Sequence, residues 1–131
     1  MNGLIGAIVF ALLAAPAWAE KARPLEAMSA QQRAEYMKLM RAYVDTFRIL
    51  GRARACNLNY DPAPLRREVE LRHGEKSEAV VIADMGFLAG AENRPLDMVL
   101  EPVLPAPMPC DVVFYMKDMK LPELPASLRI D

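Results

Sequence analysis

The longest amphipathic pattern of the chain lies between Ala30 and about Cys56, where apolar residues recur every three or four positions. Such a repeat is typical of a helix that buries one side. Ser29 precedes the segment and Gln32 stands three positions later, which is the spacing of a helical capping box. No proline interrupts the segment, and its only glycine is Gly51. The pattern therefore predicts a long first helix with a wide apolar stripe.

A shorter second helix is predicted to run through 65–73. Asp61 is a helix-capping residue type, and Pro62 would occupy the first helical position, where its missing amide hydrogen costs nothing. Gly74 is typical of the position that follows a helix end. The sequence thus predicts a helix that is closed at both ends by turn residues.

The segment 79–91 follows the capping residue Ser77 and is apolar nearly all round, so it is predicted to be the central, buried helix. A strand over 79–83 is the alternative, because the residues at 80–82 are β-branched. Gly86 and Gly90 stand four positions apart, a spacing that allows two helices to approach closely. We expect these glycines to pack under the first helix.

Seven of the eleven prolines fall between Pro95 and Pro125, and proline is unfavourable inside helices. The sequence therefore predicts a proline-rich loop over 93–109 and an extended C-terminal tail over 120–131. Between them, a short last helix is predicted for Cys110–Met119, with a strand over 112–115 as its alternative. The predicted fold class is all-α, a small bundle of about four helices.

Residues 1–19 have the layout of a secretory signal peptide. An apolar run without charged side chains ends in Ala17, Trp18 and Ala19, and the first charged residue is Glu20. The usual cleavage site has two small residues separated by one residue of any type, so cleavage is predicted after Ala19. The run is shorter than the roughly 20 residues that a membrane span needs. We expect one exported domain over 20–131, periplasmic or secreted, with an uncleaved anchor as the alternative.

The two cysteines, Cys56 and Cys110, both belong to the predicted mature domain and are 54 positions apart. In an oxidising compartment an even cysteine count favours a disulfide. A ring of this length stabilises a fold by about 4 kcal/mol in the chain-entropy model. The alternative is a redox-active pair, which usually has only two residues between its cysteines.

Sequence motifs for catalysis are missing from the chain, including nucleotide-binding loops, serine-hydrolase elbows and haem attachment sites. A zinc site needs three or four nitrogen, sulfur or oxygen ligands, and His73 is the only histidine. We therefore expect no enzyme, and a small hydrolase that uses His73 is the alternative. The net charge of −1 gives no general attraction to nucleic acid.

Basic residues dominate the predicted first helix, with six basic and two acidic residues between 33 and 54. A basic amphipathic helix can contact an acidic partner or anionic lipid, although such a face is more often simply solvated. The candidate partner-binding residues are Arg41, Arg48, Arg52 and Arg54.

Two methionine pairs are spaced three positions apart, Met37 with Met40 and Met116 with Met119. This spacing places both thioethers of a pair on one helix face, and thioethers are suitable ligands for Cu(I). Methionine also fills irregular cores and adaptable binding surfaces. Copper is therefore the alternative cofactor, while the leading prediction is that the protein has none.

These patterns together predict a non-enzymatic interaction protein, that is, an accessory subunit, an adaptor or a client-binding chaperone. Its apolar and basic helix faces would bind another exported or membrane-associated protein. Neither a nucleic-acid partner nor a transmembrane segment after signal removal is expected. The alternative function is Cu(I) binding through methionine thioethers.

Overall fold

Helices make up most of the structure, a computed structural model that describes residues 20–58, 60–96, 106–112 and 119–130. The three α-helices are α1 (Ala30–Ala55), α2 (Ala63–His73) and α3 (Glu78–Glu92). Two strands of two residues, β1 (Lys21–Ala22) and β2 (Arg129–Ile130), form an antiparallel pair. The all-α prediction is confirmed in this broad form, but the described residues contain three α-helices and not about four.

The start of each helix follows a local sequence signal. Ser29 Oγ accepts a hydrogen bond from the Gln32 amide (3.2 Å), and the Ser29 amide donates to Gln32 Oε1 (2.8 Å). The predicted capping box of α1 is therefore confirmed. The first helical residue of α2 is Ala63 and the residue before it is Pro62, so the predicted placement of Asp61 as the cap and Pro62 as the first helical residue is one position too early. Asp61 Oδ1 still accepts a hydrogen bond from the Ala63 amide (3.0 Å).

The turn between α2 and α3 also has the predicted residues at its two ends. Gly74 ends α2 with a φ of 104°, a backbone conformation that favours glycine. Ser77 Oγ accepts a hydrogen bond from the Val80 amide (3.4 Å) at the start of α3. The alternative strand over 79–83 is wrong, because these residues belong to α3.

Close contact between α1 and α3 forms the centre of the fold. Val44 lies against Gly86 and Arg48 lies against Gly90, so the two helices run in the same direction. A methyl group at Gly86 would come within 2.8 Å of the Val44 carbonyl oxygen, and one at Gly90 would collide with the Arg48 carbonyl group. The predicted packing of these glycines under the first helix is confirmed.

The apolar stripe of α1 supplies the largest part of the hydrophobic core. Met40, Tyr43 and Val44 are 0% exposed, and Phe47 is 1% exposed. Side chains from α2, from α3 and from the C-terminal segment complete the same cluster. The face of α1 that the sequence marks as apolar is therefore used for folding.

Both ends of the described domain pack on this core, which the sequence patterns did not indicate. Leu124 and Leu128 are 0% exposed, although they lie in the segment predicted as an extended tail. The tail is extended through Pro125, forms a 3-10 turn at Ala126–Leu128 and then pairs with β1 through Arg129–Ile130. Apolar side chains spaced along an extended segment explain why it docks instead of remaining in solvent.

The disulfide between Cys56 and Cys110 is present, with a Cα–Cα distance of 5.7 Å. It joins the end of α1 to a 3-10 turn at Cys110–Val112, where the sequence predicted the start of a last helix over Cys110–Met119. Residues 113–118 of that prediction lie outside the described residues, as does most of its alternative strand. Residues 97–105 of the proline-rich loop also lie outside them.

None of the helices in the described part of the chain is long and apolar enough to cross a membrane. The predicted signal peptide, residues 1–19, lies outside the described residues.

Candidate functional site

The surface of α3 that faces away from α1 carries a row of exposed apolar side chains. Val81, Met85 and Leu88 are 54%, 38% and 51% exposed. Their spacing of four and three residues places them next to one another along one side of the helix. The predicted central, buried helix is therefore buried on the side that faces α1 and exposed on the opposite side. We refer to these three side chains as the α3 row.

The small residues on the opposite side of α3 explain why the α3 row is exposed. Gly86 and Gly90 bring α3 against the backbone of α1, so the large side chains of the helix project on the other side. The sequence contains a signal for this orientation of α3, because small residues spaced four apart mark the buried side of a helix. A count of apolar residues alone does not reveal it.

Acidic side chains accompany the α3 row, and α3 contains no lysine or arginine. Asp84 binds Arg66 through two hydrogen bonds of 2.8 and 2.9 Å. Glu92 lies 3.4 Å from Arg94. Glu78 instead accepts a hydrogen bond from the Tyr36 hydroxyl (3.3 Å), and among the described residues it has no cationic partner.

The four arginines predicted as partner-binding residues differ in their exposure. Arg48 is buried, with 1% exposure, and its Nη1 lies 3.3 Å from Asp45 Oδ1. Arg52 is half-buried, and its Nε donates to the Met108 carbonyl (2.8 Å). Only Arg41 and Arg54 are exposed. Because Arg48 is buried, the four predicted arginines do not form one continuous exposed surface.

The methionine pair of α1 is divided between the core and the surface. Met40 is 0% exposed and Met37 is 38% exposed, so the two thioethers do not face one common exposed site. Met119 is half-buried against the core, and Met116 lies outside the described residues. The described residues also contain no group of three or more histidine, cysteine, aspartate or glutamate side chains that could hold a metal ion.

His73 lies in a partly buried polar cluster between α1 and the end of α2. Its Nε2 is 2.8 Å from the hydroxyl of Tyr43, and its ring makes edge contacts with the rings of Tyr36 and Tyr43. Arg72 Nη1 donates to the same Tyr43 hydroxyl (3.1 Å). The hydroxyl oxygen thus accepts from Arg72, and we infer that its hydrogen points to His73 Nε2, which makes Nδ1 the protonated nitrogen of the neutral ring.

Burial lowers the pKa of His73 to about 4, and the nearby charge of Arg72 acts in the same direction. Burial also raises the pKa of the Tyr43 hydroxyl. The histidine is therefore neutral at physiological pH, and its Nε2 is occupied by a tyrosine. Among the described residues, no serine or cysteine forms a hydrogen bond with the His73 ring.

Arg72 connects this cluster to both ends of the domain. It is 7% exposed, and its Nη1 donates to the Pro122 carbonyl in the C-terminal segment (2.7 Å). Its Nη2 lies 2.9 Å from Glu68 and 3.5 Å from Glu20 in the N-terminal segment. We call Arg72 and these contacts, together with the β1–β2 pair, the terminal clasp. These contacts give a structural reason for the burial of Arg72 and His73.

Comparisons of the chain with protein families, with curated proteins and with solved structures found no match.

Proposed function

We propose that this protein is an exported, non-enzymatic binding protein whose α3 row packs against an amphipathic helix of another exported protein. The observation that carries this proposal is the exposure of Val81, Met85 and Leu88 on a helix that is held rigidly against α1. Contiguous exposed apolar side chains on a small domain are a frequent mark of an interaction site.

The spacing of the α3 row favours a helix as the occupant. Positions separated by four and three residues form the seam through which two helices pack. From Val81 to Leu88 the row extends for about 10 Å along the axis, at 1.5 Å per residue. This length fits two turns of a partner helix with apolar residues at the same spacing.

The charges of α3 favour a basic partner. Glu78 lies at the start of α3 and has no cationic partner in the described part of the chain. A lysine or arginine of the partner helix, placed near this end, would complement it and fix the direction in which the partner lies. The predicted partner therefore has an apolar stripe and a basic residue close to one end.

The Cys56–Cys110 disulfide supports export, because structural disulfides persist mainly in oxidising compartments. The sequence pattern of residues 1–19 supports the same localisation.

Site-specific photo-cross-linking in cells that export the protein tests this proposal. A photoreactive residue at position 85 or 88 is expected to give an adduct, whereas the same residue at the exposed position Arg33 serves as the control. The cross-linked segment, identified by mass spectrometry, should have apolar residues at three- and four-residue spacing and a lysine or arginine near one end. An adduct with a segment of another pattern, an adduct with a second copy of this chain, or no adduct above the control would overturn the proposal.

A pair of surface variants measures the contribution of the α3 row. Replacing Val81 and Leu88 by glutamine retains good helix formers on an exposed face and should weaken binding of the identified segment by about tenfold or more. The matched control Arg33→Gln should bind normally. Equal binding by both variants would contradict the assignment of the surface.

A further inference from the structure

A small cavity of about 260 Å³ lies where the end of α1, the start of α2 and the middle of α3 meet. Phe47 from α1 and Phe87 from α3 line its apolar part. Phe47 is 1% exposed and Phe87 is half-buried. Pro62 and Ala63, at the start of α2, complete the wall. The cavity is smaller than the roughly 300–1,000 Å³ of drug-sized ligand pockets, so it suits one ring or one branched side chain.

Four charged side chains also line the cavity, and two of them neutralise each other. Arg66 forms two hydrogen bonds with Asp84, and this pairing raises the pKa of the Arg66 guanidinium. Neither side chain is therefore available to a ligand without loss of a charge-assisted pair.

The other two charged side chains, Arg54 and Asp61, have no ion-pair partner among the described residues. Asp61 uses Oδ1 to cap the Ala63 amide (3.0 Å), which leaves Oδ2 available. Arg54 is exposed and lies in the last turn of α1, two residues before the disulfide-bonded Cys56. Within the described part of the chain, a cation and an anion that lack ion-pair partners therefore line the same cavity.

We propose that this cavity binds a free apolar α-amino acid, such as phenylalanine. The apolar side chain of the ligand would lie against Phe47 and Phe87, its carboxylate would contact Arg54, and its ammonium group would contact Asp61. Each charged group of the ligand then contacts an opposite charge, and the apolar side chain of the ligand displaces water from the apolar part of the cavity wall. This proposal is independent of the α3 row and of the function assigned to it.

The disulfide contributes to this site by holding the end of α1. Cys56 is joined to Cys110, and Arg52, on the same turn as Arg54, is bound to the Met108 carbonyl. A fixed helix end lowers the entropy that is lost when Arg54 engages a ligand.

Titration of the oxidised protein with phenylalanine, followed by two-dimensional NMR, tests the proposal. Saturable shifts are expected for the amides near Asp61 and Phe87. Two analogues, 3-phenylpropionate without the ammonium group and 2-phenylethylamine without the carboxylate, should each bind about tenfold or more weakly. Equal binding of either analogue, or the absence of saturable shifts with phenylalanine and leucine, would overturn the proposal.

Two variants assign the charges of the site. Arg54→Gln removes the cation, and Asp61→Asn removes the anion while its amide oxygen can still cap α2. Each should weaken phenylalanine binding by about tenfold, with helix content and thermal unfolding unchanged. Arg33→Gln, which removes another unpaired exposed arginine of α1, should bind like the unaltered protein. Loss of binding in the Arg33 variant, or normal binding in both site variants, would contradict the assignment.

Discussion

The α1–α3 contact and the terminal clasp hold the domain together by different means. In the α1–α3 contact, Gly86 and Gly90 allow the two backbones to touch, and the surrounding side chains are apolar. In the terminal clasp, Arg72 binds the carboxylate of Glu68 on its own helix, and it also binds hydroxyl, carbonyl and carboxylate oxygens from segments distant in sequence. The first contact depends on shape and the second on charge and hydrogen bonding.

This difference has consequences for how each region responds to change. Packed apolar surfaces are sensitive to added volume and insensitive to pH. A buried polar network is sensitive to the protonation state of its members. The two regions can therefore be perturbed separately.

The largest effect is expected from the disulfide, which joins the end of α1 to the 3-10 turn at Cys110–Val112. Replacing both Cys56 and Cys110 by serine opens a ring of 54 positions and should lower the free energy of unfolding by about 4 kcal/mol in the chain-entropy model. Urea unfolding of the oxidised protein and of the double variant measures this difference. Amide hydrogen exchange of the double variant should show a greater loss of protection in the C-terminal segment that contacts Arg72 than in α1 and α3. An equal loss in all three would contradict the distinction between the regions.

An added methyl group at Gly90 should destabilise the α1–α3 contact specifically. Gly90→Ala places the new carbon against the backbone carbonyl of Arg48, which has no flexible side chain to move aside. We expect a loss of about 3 kcal/mol, the upper part of the range for overpacked cores. Leu88→Ala, on the exposed side of the same helix, is the control and should change stability by less than about 1 kcal/mol. Equal losses in both variants would show that the two faces of α3 do not differ as described.

A smaller effect is expected from His73, which contacts the same Tyr43 hydroxyl as Arg72 of the terminal clasp. Its pKa is lowered to about 4 in the folded protein, while an unfolded histidine titrates near 6.5. Between these two pKa values the unfolded chain binds the proton more strongly than the folded protein does. The free energy of unfolding therefore falls as the pH decreases from about 6.5 to 4, and below pH 4 His73 causes no further change. The expected loss is about 2 kcal/mol between pH 7.5 and 4.5.

Urea unfolding across this pH range, compared with His73→Gln, isolates the histidine from the carboxylates that titrate nearby. Glutamine can still accept a hydrogen bond from Tyr43 and does not ionise in this range. The variant should therefore lose less stability on acidification than the unaltered protein. Identical pH profiles would show that the neutral, buried histidine does not contribute.

Local sequence signals predicted the helices well because capping and periodicity are properties of neighbouring residues. Ser29 with Gln32, Gly74 and Ser77 each mark a helix end that the structure contains. The close approach at Gly86 and Gly90 was also predictable, since small residues at four-residue spacing are a short-range pattern.

The candidate sites were predictable only in part. The charge of α1 indicates Arg54 as a possible binding residue, but no sequence pattern places it beside Asp61 and Phe87. Arg48 had the same sequence signal and is buried. Which side of a helix is exposed to solvent depends on the segments that pack against it, and hydrophobic periodicity alone does not identify those segments.

Residues close together along the chain therefore determined the three helices and most of their ends, while the even cysteine count indicated the disulfide. Only the tertiary structure decided that Lys21–Ala22 and Arg129–Ile130 pair as β1 and β2, that Arg72 joins the two segments that contain them, and that the α3 row faces solvent. The physical reason is that capping and helix propensity are local free energies. Burial and ion pairing instead depend on which distant segments share the same space.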